Sequence, residues 1–141
     1  MSDLENAKQI LLEGGYTCVL CRGKEIYTAT ARGVRPLVDW LDSGLDLRGF
    51  SAADKVVGRA TAYLYVLLRV REVYAQIISR SAAEVLRKYG IGVACEKTVP
   101  NIINRKGDGI CPFEAAVMEI DDPDRAYDAI REKMREMNIT L

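Results

Sequence analysis

The segment Ser51-Ala52-Ala53-Asp54-Lys55-Val56-Val57-Gly58-Arg59-Ala60 sets a carboxylate, an ammonium, a glycine and a guanidinium directly ahead of the apolar run Thr61–Leu68. Apolar on almost every side, that run predicts a core helix from Ala52 to Leu68, with the charges at its mouth. Two chemistries fit the charges. In one, Ser51 caps the helix and Asp54 reaches back to complete a capping box. In the other, Lys55 opposes the positive end of the helix dipole, which is offset only by a carboxylate or an anionic ligand beside it. Gly58 inside a helix costs about 1 kcal/mol relative to alanine, and is accepted where a backbone or a ligand must come close. Lys55, Gly58 and Arg59 therefore predict a surface that an anion approaches, although close packing of another helix accounts for Gly58 as well.

A second chemical segment runs Asn104-Arg105-Lys106-Gly107-Asp108-Gly109-Ile110-Cys111-Pro112-Phe113-Glu114. A glycine-rich loop with two cations leading into a helix N-terminus suits a phosphate or carboxylate. Cys111 at that terminus is the best candidate for a reactive thiolate, with a small buried side chain as the alternative and Glu114 as a cap partner. Ser79-Arg80-Ser81 lies where a strand passes into a helix, a usual ligand position in α/β folds, with Ser81 as the predicted cap. Cys18 and Cys21 are three apart on a predicted strand and so point to opposite faces, which argues against a zinc pair.

Composition narrows these options. Histidine is absent, so no Ser-His or Cys-His pair, imidazole base or histidine metal ligand can be built. Lysine plus arginine balances aspartate plus glutamate at 20 each, with no basic block to follow a phosphate backbone, so nucleic acid is not the expected partner. The four cysteines fit free thiols in a reducing, cytoplasmic compartment. The longest apolar stretch is too short for a bilayer, and the acidic N-terminal residues do not read as a signal sequence. At 141 residues and 49% hydrophobic, the expectation is one soluble domain, residues 1–141.

The elements follow from pattern. Ser2 and Glu5 are spaced as a capping box for a first amphipathic helix that stops at Gly14. Tyr16–Leu20 and Glu25–Thr30 form a hairpin about Arg22-Gly23. Pro36 starts a short helix that ends at Gly44. After the core helix come a strand over Val73–Ile78, a helix over Ala82–Tyr89 and a strand over Ile91–Cys95, an order that asks for a parallel pair. Pro112 and Pro123 start two final helices. The fold class is α/β, a mixed sheet with helices on both faces.

Taken together, Gly33-Val34-Arg35-Pro36-Leu37, Ala53-Asp54-Lys55-Val56-Val57-Gly58, Val73-Tyr74-Ala75 with Ile78-Ser79, Val99-Pro100 with Asn104-Arg105, and Cys111-Pro112-Phe113-Glu114 resemble an uncharacterised prokaryotic family with a cytidine-deaminase-like fold. The resemblance covers nearly the whole chain. It implies a three-layer α/β/α domain in which the Ala52–Leu68 helix corresponds to the first zinc-site helix of true deaminases. Those enzymes carry His-x-Glu or Cys-x-Glu there and Pro-Cys-x-x-Cys at the next helix. The matching positions here read Ala53-Asp54-Lys55 and Ser79-Arg80-Ser81-Ala82-Ala83, with no zinc ligand, so neither a metal nor another cofactor is expected. The leading expectation is a metal-free domain that binds a nucleotide-like or other anionic small molecule through Asp54, Lys55, Gly58, Ser79, Ser81, Asn104 and Arg105. The alternatives are an enzyme using Cys111 or Lys55 as nucleophile, with Asp54 or Glu114 moving protons, and a homo-oligomeric scaffold.

Overall fold

The computed structural model describes residues 1–104 and 106–137. The first helix, α1 (Asp3–Gly14), opens as its sequence dictates: Glu5 N donates to Ser2 Oγ, and Ser2 N donates to the Glu5 carboxylate. The hairpin follows as β1 (Cys18–Arg22) and β2 (Glu25–Ala29), turning through Gly23 at φ 59°. Its first strand starts two residues later than the sequence pattern suggests. Helix α2 (Arg35–Ser43) has Pro36 in its first turn and ends at Gly44.

The largest correction falls on Ser51–Val57, which is a strand, β3. The core helix α3 is confined to Arg59–Leu68, with Gly58 as its N-cap. Ser51 therefore caps nothing; its hydroxyl donates to the Glu72 carboxylate at 2.6 Å. Asp54 and Lys55 are strand residues, not the mouth of a helix. Ser-x-x-Asp and two alanines imitate a helix start, but a strand buried on both faces has no polar alternation to reveal it. Small Ala52 and Ala53 let helices press on the sheet from either side.

The remaining elements are β4 (Glu72–Ser79), α4 (Arg80–Lys88), β5 (Gly92–Val99), α5 (Pro112–Val117) and α6 (Pro123–Glu136). The sheet order is β2-β1-β3-β4-β5, with β1 antiparallel to both of its neighbours and β3, β4 and β5 parallel. The parallel β4–β5 pair was expected from the strand–helix–strand order, and β3 extends it to three strands.

Side-chain alternation divides the core between the two faces. Val19, Cys21, Ala53 and Tyr74 pack with Ala7 and Leu11 of α1. Cys18, Leu20, Ala52, Val73 and Ala75 pack into the larger cluster with α2, α3, α4, α5 and α6. Cys18 and Cys21 thus face opposite ways, as their spacing requires. No helix among the described residues is long and apolar enough to cross a membrane.

Three helices are followed by a left-handed glycine, and α3 has a side chain in that place. Gly15 ends α1, Gly44 ends α2, and Gly90 follows α4, all in the left-handed region that glycine tolerates. At the end of α3 that place is taken by Arg69, with φ 60° and ψ 37°. A side chain costs about 1–2 kcal/mol in that conformation.

Candidate functional site

The carboxyl ends of β3 and β4 meet the starts of α3 and α4, the position at which open α/β sheets usually hold ligands. The two residues read from the sequence as partners are separated there. Asp54 lies on the α3 side of β3, where it is buried, whereas Lys55, the next residue on the strand, is exposed. Among the described residues only the backbone of Lys55 is engaged: its N–H donates to Thr17 O.

Asp54 belongs to a buried polar chain. Tyr65 Oη of α3 donates to Asp54 Oδ2 at 2.7 Å, and Cys18 Sγ of β1 lies 3.1 Å from the same phenol oxygen. Since the phenol proton is directed at the carboxylate, the thiol proton is left to point at the phenol oxygen. Val56 N donates to Asp54 Oδ1. Burial raises the Asp54 pKa to about 6 against the pull of these donors. Burial, reinforced by the charge of Asp54, pushes both Cys18 and Tyr65 well above their ordinary ranges. At neutral pH the cluster therefore holds one titrating carboxyl and two protonated neighbours. Asp54 is neither a helix cap nor a freely accessible ligand; it ties β1, β3 and α3 together.

The start of α3 is occupied by the protein's own anion. Glu114, carried by α5 and 8% exposed, places Oε2 3.0 Å from Ala60 N. A Cβ on Gly58 would lie 2.5 Å from Glu114 Cδ. Gly58 is therefore not an interior helix glycine but an N-cap whose missing side chain admits a carboxylate. The sequence pattern asks for an anion beside Lys55 in a first helical turn and for a close neighbour to an interior Gly58; Lys55 is on a strand and Gly58 is an N-cap, and the group that comes close to Gly58 is Glu114. Its spacing from Cys111 made it look like a cap for its own helix, so the long-range contact was not legible.

Arg59 is committed as well. It donates to Ser81 Oγ at 2.9 Å, to Tyr63 Oη at 2.8 Å and to the carbonyls of Val117 and Ile120. Ser81 thus serves as an acceptor on α4, while the cap of that helix is Ser79, whose Oγ accepts from Ala82 N. This corrects the assignment of the cap to Ser81: the helix begins two residues earlier than its apolar periodicity suggests. Asn104 closes its own loop, exchanging hydrogen bonds with Asp108 inside the turn that the Ile103–Ile110 bridge joins. Arg105 lies outside the described residues.

Cys111 is the half-buried residue preceding the first turn of α5, and its side chain makes no capping bond. Cys95, on the exposed strand β5, is the most accessible thiol, with Sγ 3.5 Å from Thr98 Oγ1, while Cys18 and Cys21 are buried. A thiol reagent added to the native protein is expected to modify Cys95 before Cys111 and to reach Cys18 and Cys21 only on unfolding. Peptide mass spectrometry reads that order, and labelling of Cys111 first would mark it as an activated nucleophile. Among the described residues, no group of three or more cysteine, aspartate or glutamate side chains is placed to hold a metal ion.

Comparison with known proteins gives a family without an assigned activity. The sequence model of a family described as TM1506, domain of unknown function DUF1893, matches residues 6–134. The structure is similar to the crystal structure of a DUF1893 family protein, TM1506, from Thermotoga maritima. The TM-score is 0.83 at 27% sequence identity, over 96% of this chain and 91% of that one. No curated protein matches.

Proposed function

Because the chain belongs to the DUF1893 family, a domain of unknown function, we propose its role from its own geometry: a binding domain for a nucleotide-like or other anionic small molecule, without zinc-dependent hydrolysis. The reading takes the mixed sheet and its helices as a cytidine-deaminase-like, three-layer arrangement. In that arrangement α3 and α4 are the helices whose starts would carry a zinc site. The residues at those starts are Gly58, Arg59, Ser79, Arg80 and Ser81, none of which ligates zinc through a thiolate, imidazole or carboxylate. Glu114 caps α3 from a distance, and no water-activating centre is built from these side chains.

The observation that carries the binding reading is the state of Lys55. Asp54, Gly58, Ser79, Ser81 and Asn104 are all taken up in internal contacts. Lys55 stands exposed near the carboxyl end of β3, beyond the last residue paired with β1, and makes no ion pair among the described residues. An ammonium so placed is available to an anion arriving where α/β sheets bind ligands. The ligand class follows from that charge, and the free thiols of the chain suit the cytoplasm.

A panel of nucleotides and small organic phosphates, followed by thermal denaturation, tests the reading. A ligand at one hundred times its Kd is expected to stabilise the protein by about 2.7 kcal/mol, and Lys55→Ala is expected to diminish the shift while leaving the unliganded midpoint in place. The reading fails if no member of the panel raises the midpoint, or if the shift persists undiminished in Lys55→Ala.

A further inference from the structure

We propose a second binding site, at the opposite end of the sheet, for a mononucleotide-like ligand: a phosphate ester joined to a flat aromatic ring. A groove of about 410 Å³ lies where α3 ends and β5 begins. That volume is within the range of about 300–1,000 Å³ that small-molecule sites occupy. Val66, Val70 and Ile91 supply its apolar part, Tyr89 its aromatic ring, and Arg69 and Arg71 its charge. Among the described residues, no carboxylate lines it.

Neither Arg69 nor Arg71 makes an ion pair among the described residues. Asp46 is held by Arg48 through Nε at 3.1 Å and a terminal nitrogen at 3.0 Å, while Glu72, next to Arg71 in the chain, accepts from the neutral Ser51 hydroxyl. A third cation stands close, with Lys88 Nζ 5.6 Å from the centre of the Tyr89 ring. Tyr89 is 39% exposed, with the Lys88 ammonium over its ring, so a base that stacks there meets the ring and a cation together.

Backbone conformation points the same way. The turn after α3 favours glycine, as Gly15 and Gly44 show after α1 and α2. Arg69 closes the turn through its backbone N–H, bonded to the carbonyls of Tyr65 and Val66, and glycine would make the same bonds. What arginine adds is a charged side chain on the wall between this groove and the one beside Asp46, in a strained backbone conformation of the kind that gathers at functional sites. The carbonyl ends of α3 and α4 both lie at the groove and repel an anion, so the arginine pair must outweigh them with Lys88 beside it, and binding should weaken as salt rises. Paired nitrogens in a fixed fork match phosphate oxygens better than an ammonium would.

Isothermal titration of the full chain with adenosine 5′-monophosphate tests the site, with adenosine, inorganic phosphate and a short single-stranded oligonucleotide as the other arms. The monophosphate is expected to bind at least tenfold more tightly than adenosine or phosphate, because only it uses both the ring and the charges. Arg69→Gly and Arg71→Ala are each expected to weaken it tenfold or more, with the melting temperature of Arg69→Gly unchanged or raised. Lys55→Ala should leave the arginine-dependent binding intact, which separates this site from the one at the carboxyl end of β3. The proposal is overturned if none of the four common nucleoside monophosphates binds at millimolar concentration, or if both arginine variants bind as the wild type does. It is equally overturned if Lys55→Ala alone abolishes binding, or if the oligonucleotide binds more than tenfold more tightly than the monophosphate.

Discussion

Replacing Gly58 by alanine is expected to destabilise the protein by about 2–3 kcal/mol, a large loss for one methyl group at a helix N-cap. The backbone is not the reason, since φ −98° and ψ 179° are open to any residue. The obstacle is Glu114. A Cβ would lie 2.5 Å from its Cδ and 2.6 and 2.7 Å from its two carboxylate oxygens, where real contacts of this kind do not occur. A carboxylate at the end of a side chain could swing away, but this one is buried and accepts the bond from Ala60 N. Moving it strips α3 of its cap and withdraws a negative charge from the positive end of the helix, costs of about 1 kcal/mol each. A double-mutant cycle isolates the contact: in a Glu114→Ala background the Gly58→Ala change should cost less than about 1 kcal/mol. Equal costs in the two backgrounds, measured by urea denaturation, would show that Glu114 is not what the glycine accommodates.

The same contact shows what sequence can and cannot disclose. Local devices were legible because their partners are a few residues apart: the Ser2–Glu5 box, the Gly23 hairpin, Pro36 and Gly44 around α2. The parallel β4–β5 pair followed from element order alone. The strand β3 was missed because its helix-like signals, Ser51, Asp54 and two alanines, belong to a central strand whose environment overrides local preference. That error displaced the proposed site. Asp54 and Lys55 looked like neighbours on one helical turn, and the pleat sends them to opposite faces of the sheet. Glu114 and Gly58 are 56 positions apart, Cys18 and Tyr65 are 47 apart, and no periodicity connects such pairs. Arg69 and Tyr89 raised no signal, since isolated arginines and tyrosines are common and the left-handed turn that singles out Arg69 is visible only in the backbone.

Raising the pH from 4 to 7 is expected to remove about 2 kcal/mol of stability through Asp54 alone. Burial lifts this carboxyl from its ordinary 3.8 to about 6 in the folded protein. Between those two values the folded state holds a proton that the unfolded state has released, so stability falls as pH rises. The contribution is complete below the unfolded value and has gone once the pH passes the folded one. Exposed carboxylates act in the opposite sense and at lower pH: Asp46 is held down to about 2 by Arg48, and Asp42 is lowered by Tyr127 and then by Arg131, so both favour folding until acid protonates them. Their titration overlaps the acid end of the window, which makes the wild-type curve alone ambiguous. Asp54→Asn removes the ionisation while keeping the size of the side chain and an oxygen for Tyr65 Oη. Its stability, followed by urea denaturation at intervals from pH 4 to 7.5, should lack the decline, so that the gap between variant and wild type widens with pH in favour of the variant. Nuclear magnetic resonance titration of the Asp54 carboxyl carbon provides an independent check, with a midpoint near 6 expected and a midpoint near 4 incompatible with the buried Cys18–Tyr65–Asp54 chain. Parallel stability curves for the two proteins would likewise mean that this carboxyl is solvated, and that the charge left between β1, β3 and α3 is not a cost the fold carries at neutral pH.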